Sequence, residues 1–146
     1  MSAENPDAPK LIRVSAVVLR DESGRILTVR KRGTVRFMLP GGKPEAGEST
    51  AQTALRETAE ELGVALDPAL LRPLGTFRSA AANEPGHELE SAVFTHPFVE
   101  VQGPAAEIDE LRWLDPAAVL PDDLAPMLRE NVLPALAAAS AELSNG

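Results

Sequence analysis

Three glutamates, Glu57, Glu60 and Glu61, stand within five positions in the stretch "LRETAEELG" that runs from Leu55 to Gly63. The surrounding pattern is helical. At ~100° per residue, Ala51, Ala54, Leu55, Thr58 and Leu62 fall on one stripe suited to packing on a sheet. Ser49 or Thr50 offers a side-chain oxygen to the orphan amides of the first turn, and Gly63 can close the last turn in the left-handed conformation. The glutamates lie beside the apolar stripe, spread over roughly a quarter to a third of the circumference.

Such a helix end works against itself. Glu57 and Glu61 are spaced i,i+4 and Glu57 and Glu60 i,i+3, and each like-charge pair costs a few tenths of a kcal/mol. The last turn also faces the negative end of the helix dipole, where a base would be preferred. Arg56 is the one cation near in sequence, with Glu60 its best partner on the helix, and one arginine does not neutralise three carboxylates. A divalent cation does. Mg²⁺ takes hard oxygen ligands and is usually shared between carboxylates and a substrate's phosphates. The competing account is an ordinary solvated acidic face, the commoner fate of surface glutamates. Upstream, "PGGKPEAGE" is a shaped loop in which Gly41 or Gly42 can bring backbone amides or carbonyls close to a ligand. Glu48, near the helix start, either caps it or reaches a base such as Arg56.

The rest of the chain reads as alternating sheet segments with a helix at the end. "LIRVSAVVLRD" and "RILTVRKRG" are two strands around the turn "ESG", with a short strand at Phe37 to Leu39. Two more, "LLRPLGTFRSAAA" and "ELESAVFTHPFVEV", flank the turn "NEPGH", with Pro97 suggesting an edge or bulge. "IDELRWLD" is a further short strand, "DPAAVLP" starts a helical turn, and "DDLAPMLRENVLPALAAASAEL" is a longer helix capped by Asp122 or Asp123, with Pro126 and Pro134 starting or kinking it. Strands do not alternate regularly with helices, so the expected fold is α+β: an α/β/α sandwich with a mixed sheet between helices.

Charge and composition narrow the function. Acids outnumber bases by 22 to 14, a formal charge of -8, which disfavours binding to nucleic acid or anionic membrane. A polyanionic ligand must then be met by local cations, for which Arg30 and Lys31 are candidates beside their alternative role as strand-end solubility charges. The absence of cysteine excludes disulfides, thiolate metal sites and a cysteine nucleophile together. Phe37, next to the glycine loop, is a candidate for stacking on a base, whereas Phe77, Phe94, Phe98 and Trp113 read as core and His87 and His96 as structural histidines. "MSAENPDAPK" lacks the apolar stretch of a secretion signal, and no run approaches the ~20 apolar residues of a membrane span. The expectation is a cytoplasmic protein with a flexible arm over residues 1–10 and one domain over 11–143.

From Gly42 to Val64 the sequence follows G-x5-E-x7-R-E-U-x-E-E-x-G-U, where U is a bulky apolar residue. It resembles the Nudix box, and "VSAVVLRDESGRILTVRKRG" and "FMLPGGKPEAGES" are similar to the start of MutT-like Nudix domains. Thr58 departs from the pattern where an apolar residue is preferred; its methyl is expected to be buried and its hydroxyl bonded back to the helix. The resemblance implies Mg²⁺- or Mn²⁺-dependent hydrolysis of a nucleoside diphosphate linked to another moiety, most simply a (d)NTP. It implies metal ligation by Glu57, Glu60 and Glu61 together with Gly42, orientation by Arg56 and Glu48, and a base that is Glu60 or a downstream acid. Glu107, six residues before Trp113, resembles an added ligand or base of some MutT-like enzymes, against the alternative of a solvated loop glutamate. Homodimers are common in the resembled family.

Alternatives within this resemblance are an ADP-ribose or nucleotide-sugar pyrophosphatase and a non-catalytic nucleotide-sensing module. The sensor is disfavoured because every charged box residue is kept and no spare segment is set apart. Isopentenyl diphosphate isomerase, of similar fold, needs a catalytic cysteine that this chain lacks.

Overall fold

The computed structural model describes residues 10–81 and 84–144. Most of the expected flexible arm and part of the "NEPGH" turn lie outside the described residues. Strand β1, Lys10–Leu19, is the spine of the fold. It pairs in parallel with β5, His87–His96, from Lys10↔His87 to Leu19↔His96. On its other side it pairs antiparallel with β3, Gly41–Gly42. β4, Arg72–Ala80, joins β5 antiparallel, which completes a mixed sheet of order β3-β1-β5-β4. A second, two-stranded sheet pairs β2, Ile26–Lys31, with β6, Ile108–Leu114.

Alternation along β1 explains why helices cover both faces. Ala16 and Val18 enter one core cluster with Val93, Leu128 and Val132, while Val17 and Leu19 enter another with Ala54, Leu62 and Phe94. A strand buried on both faces reads as the unbroken apolar run seen at Val17 to Leu19. The first cluster lies under the C-terminal helical segment and the second under helix α1, Thr50–Leu62. The mixed sheet between helices is as the sequence suggests.

Helix α1 begins and ends at the expected residues. Ser49 is its N-cap, in a reciprocal capping box with Gln52, and Gly63 closes it at φ 68. Ser49→Ala should lower stability by about 1 kcal/mol, read as a lower urea midpoint at unchanged slope. Thr58 is fully buried and its hydroxyl donates to the Ala54 carbonyl at 2.7 Å, as its place on the stripe implies.

Four local expectations are corrected. The glycine pair is a strand, because Gly41 and Gly42 continue the backbone ladder beside Ser15 and Ala16. Phe37 to Leu39 makes only isolated bridges, Val29↔Met38 and Phe37↔Leu124. Pro97 follows the last residue of β5 rather than bulging it, its missing N–H being unable to extend the ladder. "DPAAVLP" forms turns without a helix.

The C-terminal segment also differs in its start. It is capped by neither Asp122 nor Asp123: Pro126 is the N-cap, with no side-chain bond, and Asp123 is held by Arg112 at 2.6 Å. Wide π-helical turns over Met127–Val132 then lead into α2, Leu133–Ser144. The Leu133 amide reaches back five residues to Leu128. This widening precedes Pro134, whose ring and missing N–H disrupt the ordinary i→i-4 ladder.

Candidate active site

The site is built where β3 lies between β1 and α1. The Val17 amide donates to the Pro40 carbonyl at 3.0 Å, fixing the entry to the glycine pair. A Cβ built on Gly42 would lie 2.5 Å from the Glu57 carboxyl carbon, and one on Gly41 would lie 2.0 Å from the Ser15 carbonyl oxygen. Gly42 therefore leaves the space into which the Glu57 carboxylate packs, while Gly41 allows the two strands to meet.

Arg56 organises the acidic group. Its Nε and Nη2 donate to both oxygens of Glu48 at 2.7 and 2.9 Å, and Nη2 also reaches the Lys43 carbonyl at 2.9 Å. Nη1 donates to Glu57 at 3.0 Å and to Glu60 at 3.3 Å. Glu48 is thus the anchor of Arg56 and not the cap, which is Ser49. Thr53, whose hydroxyl donates to Glu48 at 3.0 Å, is a supporting residue the sequence reading missed. The Arg56 guanidinium, with the Glu45 amide and the Thr53 hydroxyl, holds the Glu48 carboxyl down to about 2. Glu48 in turn leads the groups that raise the Arg56 pKa further above its already high value.

Glu61 is different from its neighbours. It is buried, 4% exposed, and one oxygen accepts the Gly41 amide at 2.9 Å while the other lies 3.8 Å from Lys31 Nζ. Burial pushes its carboxyl up from the ordinary 4.5 to about 7, with repulsion from Glu57 and Glu107 adding to the rise and Lys31 and the Gly41 amide opposing it. A signal for this burial exists in the sequence: Glu61 follows Ala54 by seven residues, which puts the two within ~20° on the helix.

A pH dependence follows. Below pH 4.5 Glu61 carries its proton whether the chain is folded or not; between 4.5 and about 7 the unfolded chain releases it first, so the metal-free fold loses stability as pH rises. The loss is about 3 kcal/mol when complete. Glu61→Gln, which keeps an oxygen for the Gly41 amide, should therefore gain by that order over the unaltered protein between pH 4.5 and 8, measured as the difference in urea midpoints without metal. A constant difference across that range contradicts the assignment.

Glu57, Glu60, Glu61, Gly41, Gly42, Lys31 and Glu107 all line one cavity of about 610 Å³. Among the described residues no three acidic or histidine side chains converge as a ready ligand set, because Arg56 holds Glu57 and Glu60 while Gly41 and Lys31 hold Glu61. Their chemistry still fits a hard divalent ion: several carboxylates, one desolvated, face a shared cavity beside a glycine whose lack of a side chain leaves one of them room.

Two expected substrate residues are not at this cavity. Phe37 is core, 3% exposed, with the Arg112 guanidinium 3.7 Å over its ring, so that face is closed to a base. Arg30 points to the opposite side of β2, where it meets Glu110 at 3.4 Å and the Thr34 carbonyl at 3.0 Å. Lys31, its neighbour on the alternating strand, is the one that faces the site. Lys43 also lines the cavity, which the sequence reading did not single out. His96 is structural: it is buried, with Nε2 accepting the Asp67 amide at 3.0 Å and Nδ1 against the Pro97 carbonyl at 2.9 Å.

This arrangement of glycine strand, carboxylate helix and organising arginine coincides with a match to the NUDIX domain model over residues 9–136. The chain belongs to the Nudix hydrolase family. It is 36% identical over 128 residues to an isopentenyl-diphosphate Delta-isomerase of Nocardia farcinica, covering 77% of this chain and 69% of that protein. It is 30% identical over 102 residues to a putative 8-oxo-dGTP diphosphatase of Bacillus subtilis, covering 68% and 64%. In structure it is similar to the MutT protein of Methanosarcina mazei, with a TM-score of 0.70 at 22% identity over 84% of this chain and 90% of that one. Among the described residues no helix is long and apolar enough to cross a membrane.

Proposed function

We propose that the protein is a divalent-metal-dependent pyrophosphohydrolase that cleaves a phosphoanhydride bond in a nucleoside diphosphate derivative, with (d)NTPs the first class to test. The observation that carries this reading is the joint placement of Glu57, Glu60, Glu61, Gly42 and Lys31 on one cavity. Glu57, Glu60 and Glu61, with the Gly42 carbonyl, would hold Mg²⁺ or Mn²⁺, which when bound lowers the pKa of water and offsets phosphate charge. Arg56, anchored by Glu48, positions Glu57 and Glu60. Lys31 supplies positive charge at the phosphate end. Water attacks phosphorus, its proton passes to Glu60, and the bridging oxygen leaves with the bonding electron pair on the departing phosphate. Glu107 is an added ligand or second base in this scheme.

Supporting hydrolysis over isomerisation is the absence of cysteine, despite relatives named as isopentenyl-diphosphate isomerases. Incubation with Mg²⁺ and a panel of nucleoside triphosphates, ADP-ribose, dinucleotides and nucleotide sugars tests the proposal. Release of phosphate or pyrophosphate from a triphosphate, or of two phosphomonoesters from ADP-ribose, a dinucleotide or a nucleotide sugar, is the expected result. Tight binding of one compound with turnover of none would make the protein a sensor.

A further inference from the structure

Away from the acidic end, the cavity reaches across the sheet to β5, where Ser91 stands on its wall. Alternation along β5 puts Ser91 on the same face as Val93, which packs under the C-terminal helical segment, and the register sets it between Val14 of β1 and Phe77 of β4. Met127 and Leu128 line the cavity from the helical segment. Ser91 is 2% exposed. Among the described residues its hydroxyl has no hydrogen-bond partner, yet it is not sealed in: the only wholly enclosed, unbonded side-chain atom there is Arg112 Nε. Ser91 therefore opens onto the cavity. Four residues of extended strand, roughly 13 Å, separate it from His87 at the hairpin end of β5. Other polar groups on the wall are engaged or belong to the acidic end. Thr34 donates to the Lys31 carbonyl at 2.7 Å, and Lys43 Nζ lies 3.9 Å from Glu84. Ser15 is turned by strand alternation to the α1 face of β1, across from Gly42.

A hydroxyl taken out of water without a partner costs free energy that a partner recovers. Buried hydroxyls in folded proteins are almost always bonded, and one that is not, on the wall of a ligand-sized cavity, is a place for a polar atom of the ligand. Its position in the sheet says which part of the ligand. Gly42 pairs with Ser15, and Ser15 with Ala92, the neighbour of Ser91. Two strand spacings, about 10 Å, thus separate the glycine strand from Ser91. A group held there belongs to the organic part of a molecule whose diphosphate lies at the glycine strand. We infer that Ser91 is a specificity-determining residue of this site, its hydroxyl sharing one hydrogen bond with the nucleoside. A hydroxyl both donates and accepts, so a sugar hydroxyl or a polar atom of the base edge satisfies it. The inference rests on the proposal that the acidic end holds the diphosphate. A site that bonds such an atom rejects the analogue lacking it, because the hydroxyl is then left unpaired.

Non-cleavable ligands test this apart from catalysis. With Mg²⁺ present, methylenebisphosphonate and the α,β-methylene diphosphates of guanosine, adenosine, cytidine and uridine would be titrated calorimetrically into the unaltered protein and into Ser91→Ala. For the nucleoside that binds most tightly, the series continues with its 2′-deoxy and 3′-deoxy forms and with base analogues that each lack one polar edge atom. The expected result is a loss of about fivefold in affinity for one analogue on the unaltered protein, the same loss for the parent ligand on Ser91→Ala, and no further loss when the two changes are combined. A sugar analogue in that role assigns the contact to the ribose, and a base analogue assigns it to the base edge. Ser91→Ala should also hold or raise its urea midpoint, because the hydroxyl removed had no partner. Equal affinity of both proteins for every nucleoside ligand, additive losses for every analogue, nucleosides that bind no better than methylenebisphosphonate, or a lowered urea midpoint would each overturn the inference. Turnover of an anhydride beside any of those results would leave the hydrolase proposal standing. The expected coupling in a protein that cleaves no anhydride would refute the hydrolase proposal and uphold this one.

Discussion

Glu57→Gln is expected to lower turnover by about a hundredfold or more, equivalent to ~3 kcal/mol of transition-state stabilisation, with the fold intact. The glutamine keeps the size of the side chain that packs beside Gly42 and keeps an oxygen for Arg56 Nη1, now 3.0 Å from the carboxylate. What it loses is the charge that would hold a divalent ion. Because Glu57 repels Glu60 and Glu61 across i,i+3 and i,i+4 spacings, metal-free stability should stay level or rise by a few tenths of a kcal/mol. The paired measurement is kcat with Mg²⁺ and the melting temperature with chelator. A mutant that is inactive because it is unfolded would show a lowered melting temperature. Unchanged turnover would remove Glu57 from the proposed metal ligands.

Two adjacent glycines should fail in opposite ways. At Gly41 the added methyl meets the Ser15 carbonyl oxygen at 2.0 Å and the Ala16 Cα at 2.8 Å, both backbone atoms of the central strand. Neither can turn aside. Gly41→Ala should therefore cost about 3 kcal/mol or more, either separating β3 from β1 or preventing folding at 37 °C. At Gly42 the three atoms nearest the methyl are all of the Glu57 carboxylate, at 2.5 to 2.8 Å. A side chain can swing away, so Gly42→Ala should fold with a smaller loss of stability, and lose activity because Glu57 is displaced. Chemical denaturation and turnover on both variants distinguish them. Equal stability losses would mean that β3 does not hold the glycine pair against β1 as described.

These effects also indicate which parts of the molecule were legible beforehand. Helix α1 was readable end to end because its limits are set locally: Ser49 accepts the Gln52 amide and Gly63 takes a positive φ. The shared cavity of Glu57, Glu60 and Glu61 was readable because i,i+3 and i,i+4 spacing puts them along one side of a helix. β3 was not, since a two-residue strand has no periodicity; it exists because β1 offers a free edge and glycines let the backbones approach. Phe37 and Arg30 stand away from the cavity for a related reason. Both sit beside the site in sequence, but Phe37 turns inward beneath Arg112, and strand alternation sends Arg30 to Glu110 and Lys31 to Glu61. The true start of the C-terminal helix was hidden because Asp123 resembles a cap in sequence, while its partner Arg112 lies eleven residues away on β6.

The most direct test of the acidic cluster is titration of Mn²⁺ into the purified protein, followed by the electron paramagnetic resonance signal of the free ion, with Glu57→Gln and Glu61→Gln alongside. Saturable loss of the free-ion signal is expected for the unaltered protein above pH 7, where Glu61 is ionised, with binding weakened at least tenfold in both variants. An unaltered signal, or equal binding in all three proteins, would contradict a metal role for these carboxylates.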